Sequence, residues 1–342
     1  MTRRPTLEDV AAAAGVSVAT VDRVLNARAP VREETARKVS EAAAAIGFHG
    51  AAALRERALA NLPDYHLGVV LQKERHAFYQ DLGAAIEEAA GRDPTHRWRV
   101  TIRFVSGQSP TDYAEAIAGM AGRVQALAAT GIDHPDVTRA VAGLQARGIP
   151  VLSLLSDFAQ GTRETYLGTN NLKSGRTAGW LMHHLAPRTG KLAVFIGGHR
   201  FHGHELRETG FRSYIRECAP QFELLETMIN LETRALTYEA TLQLTARHPD
   251  LAGVYCAGGG MEGAIAASRE MGARRFALIV HELTPESRQG LVDGSVSAVL
   301  ATPLAPLAAG IIDTAGSALD HGPASHPGQR FVQAIIISPE NV

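Results

Sequence analysis

Apolar positions recur with a helical period over the first fifty residues and in short solid runs beyond residue 65. Near the start, Leu7, Val10, Ala11 and Ala14 fall at i, i+3, i+4 and i+7, one stripe built mainly of alanine. Thr6 precedes it with Asp9 three residues on, which predicts a capping box and a helix from Leu7. Gly15 supplies a left-handed stop, Val16 plugs the turn, and Ser17 caps a second helix. That helix turns Val21, Val24 and Leu25 inward and leaves Val18, Ala19, Asp22, Arg23 and Asn26 outside. After Pro30, a third helix with Val39, Ala42, Ala43 and Ile46 inside closes a small bundle. Two short helices joined by a tight glycine turn have the build of a helix-turn-helix, and equally of a helical hairpin with no nucleic-acid role.

From His66 the rhythm changes. Apolar runs at 66–72, 98–105, 124–130 and 149–155 alternate with amphipathic segments at 77–90, 111–121 and 135–147. A second series follows, with runs at 191–197, 222–229, 251–258 and 276–282 and helices near 203–217, 233–247 and 261–271. This alternation predicts two doubly wound α/β halves, whose ligand site is the cleft at the carboxyl ends of the strands. Residues 47–65, alanine-rich and then polar with Pro63, read as a short helix followed by a domain boundary.

Composition narrows the classes. At 342 residues, 45% hydrophobic and 20% charged, the chain reads as a soluble globular protein of two or more domains. Cys218 and Cys256 offer neither a disulfide framework nor a metal knuckle, which fits a reducing cytoplasm. The net charge of −1 gives no broad attraction for polyanions, so nucleic-acid binding must rest on a local patch. No apolar run is long enough for a membrane span. Arg3 and Arg4 before the alanines imitate an export signal, but Glu8, Asp9, Asp22 and the Gly15–Ser17 break interrupt it. His199, His202, His204 and Glu205 lack metal-site spacing, and Gly258–Gly260 lack the lysine of a phosphate loop. No nucleophile elbow is present. The expectation is a non-enzymatic protein without metal or cofactor.

The string TLEDVAAAAGVSVATVDRVLN, residues 6–26, resembles the N-terminus of the LacI family of bacterial transcription regulators at nearly every position. The resemblance implies an all-α helix-turn-helix head (1–49), a hinge or linker (50–64) and a type I periplasmic-binding-protein-like effector domain (65–342). Within the last, subdomain N takes 65–168 and 298–325, and subdomain C takes 169–297 and 326–342. It implies a cytoplasmic, nucleoid-associated homodimer on a pseudo-palindromic operator. That protein would be a repressor of carbohydrate or polyol uptake or catabolism genes, released by a small sugar-like effector. The competing reading is a solute-binding protein of a sugar transporter without a DNA role.

Carried over position by position, the resemblance makes Val18, Ala19 and Arg23 base-edge readers and Ser17, Thr20 and Asn26 phosphate contacts, with Thr6 at the same surface. Asp22 departs from the family's serine and either pairs with an arginine or accepts from a cytosine amino group. In the hinge, Gly50 and Ala51 replace the usual Pro-Asn. Leu54 in a shifted register, or Arg57 by charge, stands for the wedge leucine, against a linker without DNA contact.

In the effector domain the resemblance assigns Arg207, in HELRETGF, to the cleft. Phe78 and Tyr79 are either sugar-stacking rings or core, and Asp157, Asn170 and Asn171 complete the polar set. The family's aspartate after the 251–258 strand is replaced by glycines. Gly259 and Gly260 therefore leave backbone N–H groups free, and His281, Glu282 and Thr302 stand near the lost acceptors. The expected effector is a polyol or sugar with an altered hydroxyl pattern and an anionic group near the glycines.

Overall fold

The computed structural model describes residues 4–26, 31–54, 62–272, 275–324 and 328–342. Contacts divide the chain into two compact units, residues 1–65 with 90–99 and residues 66–89 with 100–342.

The first unit holds α1 (Leu7–Ala14), α2 (Val18–Asn26) and α3 (Glu33–Ala45). Thr6 and Asp9 form the capping box, the Thr6 N–H donating to Asp9 Oδ2 at 2.7 Å. Gly15 ends α1 at φ 65°, a conformation that strains any residue with a Cβ, and the Val16 N–H reaches back to the Ala11 carbonyl at 3.0 Å. Ser17 Oγ accepts from the Thr20 N–H at 3.2 Å, so α2 also begins capped. The core gathers Val10, Ala11, Val21, Val24, Val39 and Ala43, to which Phe48 and Leu54 are added. Ala42 and Ile46, expected inside, are half-buried.

The α/β part contains two sheets. In the first, β1 (Asp64–Leu71), β2 (Arg97–Phe104), β3 (Ala126–Thr130), β4 (Val151–Leu154), β5 (Thr165–Thr169) and β12 (Gly328–Val332) run in the order β12-β5-β4-β3-β1-β2. The second holds β6 (Lys191–Ile196), β7 (Glu223–Leu224), β9 (Leu251–Cys256), β10 (Ala277–His281), β11 (Ala298–Ala301) and β13 (Ile335–Ile337). Its order is β13-β11-β10-β9-β6-β7, with β8 (Met228–Ile229) also on β6. Central strands such as β3 and β9 are buried along their whole length, as parallel strands covered on both faces must be, and they read as unbroken apolar runs. Residues 222–229, expected as one strand, split into β7 and β8. Arg212 Nη2 takes the Leu225 carbonyl at 2.9 Å and the Thr227 hydroxyl at 2.6 Å at the break.

The chain leaves the first sheet after β5, returns after β11 for β12, and ends in β13 on the second. This differs from the expected subdivision. Residues 298–301 form β11, paired with β10 in the second sheet, and β12 at 328–332 pairs with β5 in the first. The helix α12 (Leu304–His321) between them packs on β3, β5 and β12. Both strands are short, so length and polarity did not say which sheet would claim each.

Helices α7 (Asn171–Leu185) and α8 (His202–Cys218) pack closely against each other, and glycines permit it. A Cβ on Gly175 would lie 1.9 Å from the Arg207 carbonyl, and one on Gly210 would lie 2.2 Å from that of Leu172. The close crossing brings the start of α7 beside Arg207. Among the described residues no helix is long and apolar enough to cross a membrane.

Candidate functional site

In the first unit, α2 presents Ser17, Val18, Ala19, Arg23 and Asn26 to solvent, with Thr20 and Asp22 half-buried. Val18 is 42% exposed. Asp22 Oδ1 accepts from Asn26 Nδ2 at 2.6 Å, one turn along the same helix, so among its partners is a neighbour outside the two foreseen. The Thr6 hydroxyl donates to Asp9 Oδ2 at 2.8 Å and serves the cap. Leu54, expected as a wedge for the minor groove, is fully buried in the bundle core, because α3 ends before Gly47 and the turn at 51–54 folds back over Phe48. Arg57 lies outside the described residues.

In the second unit a cleft opens where strand ends of both sheets converge. The backbone there is unusual. Of the described non-glycine residues with positive φ, Lys73 (52°), Leu155 (65°), Glu232 (52°) and Glu282 (67°) all line this cavity. Left-handed backbone at a residue with a Cβ costs about 1–3 kcal/mol and persists where the surroundings over-determine it. At Glu232 the cause is Asn230, which accepts the Glu232 N–H at 2.8 Å and donates to the Gly259 carbonyl at 2.8 Å.

Charged groups bridge the cleft. Lys73 Nζ, just past β1, lies 3.0 Å from Glu232 Oε2, and Gln108 Nε2 donates to the same oxygen at 3.2 Å. Glu232 Oε1 accepts the Gly259 N–H at 3.2 Å. Burial pushes the Glu232 carboxyl up, but Lys73, His204 and the hydrogen bonds from Lys73 and Gly259 outweigh it, and its pKa falls below the ordinary value. His76 Nε2 lies 2.9 Å from Glu262 Oε1 on α10 (Met261–Glu270). His76 Nδ1 is the buried side-chain polar atom that, among the described residues, has no partner.

Deeper in, Arg207 on α8 is 6% exposed. Its Nε–H donates to Asn171 Oδ1 at 2.7 Å and Nη1 to the Ala257 carbonyl at 2.9 Å. His204, one turn earlier, is pushed down to about 4 by burial, with Glu232 opposing and Arg207 and Lys73 assisting. His281 is lowered further, by burial and then by Arg207 and His204, and its Nε2 lies 2.8 Å from the Tyr255 hydroxyl. Both rings are neutral. Burial raises the Glu282 carboxyl, although Arg207 and the Thr302 bonds oppose it; its oxygens accept from Thr302 N and Oγ1, each at 2.8 Å.

Of the residues assigned to the effector from sequence, Phe78, Tyr79, Arg207, Gly259, His281 and Glu282 line the cavity. The others do not. Asp157 is 3% exposed and consumed by Arg163, whose Nε and Nη2 donate to its two oxygens at 2.6 and 2.7 Å, with Ser153 also donating at 2.7 Å. Asn170 caps α7 through the Lys173 N–H. Asn171 sits behind Arg207, its Nδ2 held by the Leu155 carbonyl and the Tyr166 hydroxyl. Among the described residues Thr302 reaches Glu282 alone, and Gly260 packs on Thr237 and Asn230. The Gly259 N–H, expected to face an anion of the ligand, already holds the protein's own Glu232 carboxylate.

Lys73, His76, Phe201, His204 and Glu232 line the cavity without having been assigned to it from sequence. Glu232 sits in a connection after β8, where a lone carboxylate carries no motif. Its only signal was the missing family aspartate, which required an acceptor elsewhere. Among the described residues no cluster of His, Cys, Asp and Glu is arranged to hold a metal ion.

Comparisons with known proteins place this geometry. Residues 6–50 match the model of the bacterial regulatory proteins of the lacI family, and residues 67–323 match the periplasmic binding protein domain. The chain is 28% identical over 257 residues to the HTH-type transcriptional regulator GntR of Pseudomonas aeruginosa, covering 74% of this chain and 71% of that one. It is 37% identical over 119 residues to the regulator MalR of Streptococcus pneumoniae, covering 30% of this chain and 36% of that one. Among solved structures, an ABC transporter solute binding protein from Agrobacterium vitis with bound D-fucose superposes with a TM-score of 0.73. It is 18% identical and covers 81% of this chain and 96% of its own. A second from the same organism, bound with α-D-tagatopyranose, gives 0.74 at 18% identity, covering 81% and 95%. These structures share the type I periplasmic binding protein fold with this chain.

Proposed function

The chain belongs to the LacI family of bacterial regulatory proteins, and from that premise we propose that it is a cytoplasmic, effector-released repressor of carbohydrate or polyol genes. It acts as a homodimer whose two heads read the halves of a pseudo-palindromic operator, protein symmetry matching DNA symmetry. Arg23 hydrogen-bonds a guanine edge, Val18 and Ala19 make apolar contacts in the major groove, and Ser17, Thr20 and Asn26 position the helix on phosphates. The effector occupies the cleft lined by Phe78, Arg207, Glu232 and Glu282, where one aromatic ring and several polar groups converge. Proteins of the same fold hold D-fucose and α-D-tagatopyranose, which supports that class.

One observation carries the reading: a solvent-facing apolar and basic surface on α2 is joined in one chain to a strained, charge-lined cleft. A pure solute-binding protein has no use for the first. Coupling requires only that the effector bind two states of the protein with different affinity and that operator DNA prefer the other state. Footprinting over the promoters nearest its gene, with and without candidate sugars, tests the reading. Protection of an inverted repeat that one sugar relieves is the expected outcome, and a chromosome without any protected site overturns it.

A further inference from the structure

Arg207 is a full charge in the cleft with no carboxylate in direct contact; Glu282 acts on it only through space. The arginine is 6% exposed, and among the described residues no carboxylate oxygen lies within 4.0 Å of its guanidinium. Its two hydrogen bonds go to neutral oxygens, Asn171 Oδ1 and the Ala257 carbonyl. Nη2 has no partner among the described residues, and Arg207 lines the cavity, so that end of the fork faces the ligand space.

The acidic groups near it are hydrogen-bonded to other donors, although Glu282, held by the neutral Thr302, still acts on Arg207 through space. Glu232 is held by Lys73, Gln108 and Gly259; Glu262 by His76; and both oxygens of Glu282 by Thr302. Asp157 is locked to Arg163. The remaining titratable neighbours are His204, His281, Tyr166 and Tyr255, which burial keeps neutral. A buried cation with no counter-ion in contact is costly, and the cost is relieved when a ligand brings a charge against it.

We propose that the effector is a polyhydroxylated monocarboxylate, a sugar acid, whose carboxylate accepts from the free Nη2 of Arg207 while its hydroxyls reach Glu232 and the open Nδ1 of His76. The inference rests on reading this cleft as the effector site. A single guanidinium with one free nitrogen matches a monoanionic carboxylate better than a phosphate dianion. It also moves the ligand's charge from the glycines, where the sequence put it, to the floor of the cleft.

The test is calorimetric titration of the full chain with D-gluconate, D-galactonate, D-mannonate, D-xylonate and D-arabinonate. Each is compared with its neutral aldonamide, its aldose and the corresponding aldose phosphate. The amide keeps size and hydroxyls and removes only the charge. For the best aldonate we expect binding about ten- to a hundredfold tighter than its amide, the range for a charge-assisted bond in a desolvated site. Arg207→Gln removes the difference, and Arg207→Lys keeps part of it. If the variants do not fold, the acid–amide comparison in the unaltered protein decides alone. Neutral members binding as tightly as their acids overturn the inference and leave the cleft reading in place. Tighter binding of the phosphates overturns the choice of carboxylate. Operator binding with no response to any member overturns the cleft assignment and this inference together.

Discussion

Lys73 Nζ stands 3.0 Å from Glu232 Oε2, and both residues hold left-handed backbone, at φ 52° each. The first follows β1 of one sheet and the second follows β8 of the other, so this ion pair, beside the His76–Glu262 contact, ties the two lobes across the cleft. Glu232 is nearly inaccessible, at 4% side-chain exposure, whereas Lys73 keeps 22%.

Removing only the cation therefore leaves a buried carboxylate with Gln108, Gly259 and neutral His204 as its remaining neighbours. Lys73→Met is expected to cost about 2 kcal/mol in urea denaturation, below a fully buried pair because the lysine is partly in water. The double variant Lys73→Met, Glu232→Gln should be more stable than Lys73→Met alone, since it leaves no orphaned charge. A double variant weaker than the single one would show that the pair's attraction exceeds its desolvation cost.

His204 gives the protein an acid-side sensitivity. Above pH 6.5 the folded and unfolded chains both carry this ring neutral, and its contribution is flat. Between 6.5 and about 4 the unfolded chain takes up a proton that the buried ring refuses, so stability falls as pH falls. The loss across that window is about 3 kcal/mol from this residue, and His281, lowered in the same direction, adds to it. His204→Gln should show a shallower decline of the urea midpoint from pH 7 to 4.5. Parallel declines in the variant and the parent would mean that the ring is protonated in the fold.

Asp157 separates stability from ligand binding. Its carboxyl is pushed up by burial and pulled below the ordinary value by Arg163 and Ser153, in an ion pair that does not line the cleft. Asp157→Asn is expected to destabilise the fold by about 3 kcal/mol, because Arg163 stays buried without its charge. Effector affinity, measured by titration well below the unfolding midpoint, should be unchanged. A selective loss of affinity would return Asp157 to the binding set.

How much of this was readable in the sequence differs by element. The head was legible almost completely, because caps, stop glycine and apolar stripe are local signals that agree with one another. Strand runs such as LAGVYC were legible as buried strands, but not their sheet, since β11 and β12 carry no periodicity that names a neighbour. In the site, Arg207 was found by its motif. Glu232 was not, because its role comes from a cross-lobe meeting with Lys73 at a separation of 159 residues. Asp157 was misassigned for the converse reason: its partner Arg163 stands six residues away in an irregular loop, where nothing in the spacing announces a buried pair.

Leu54 tests the corrected hinge. It has 0% exposure within the head core, so Leu54→Ala should destabilise the bundle by about 3 kcal/mol in the absence of DNA. Amide hydrogen exchange in the full chain reads this as faster exchange at Val10, Val21 and Val39. Unchanged exchange with weakened operator binding would instead mark Leu54 as a DNA contact.

On α2, the division between reading and positioning can be put to measurement. Arg23 is exposed, and a forked bond to guanine is the contact its guanidinium makes best, so Arg23→Ala should cost about 1–3 kcal/mol on the operator and relax preference at one base pair in each half-site. Asn26 carries no charge and is held by Asp22, so Asn26→Ala should weaken operator and random DNA to the same extent. Salt dependence sharpens the contrast, because an arginine bound to phosphate reduces the salt slope by about one when removed and an arginine bound to a base edge does not. Competition binding of the three proteins against single-position operator variants, at two salt concentrations, decides it. Equal loss on every sequence for Arg23→Ala, with a lower salt slope, would move that residue from the base edges to the backbone and leave Val18 and Ala19 as the reading positions.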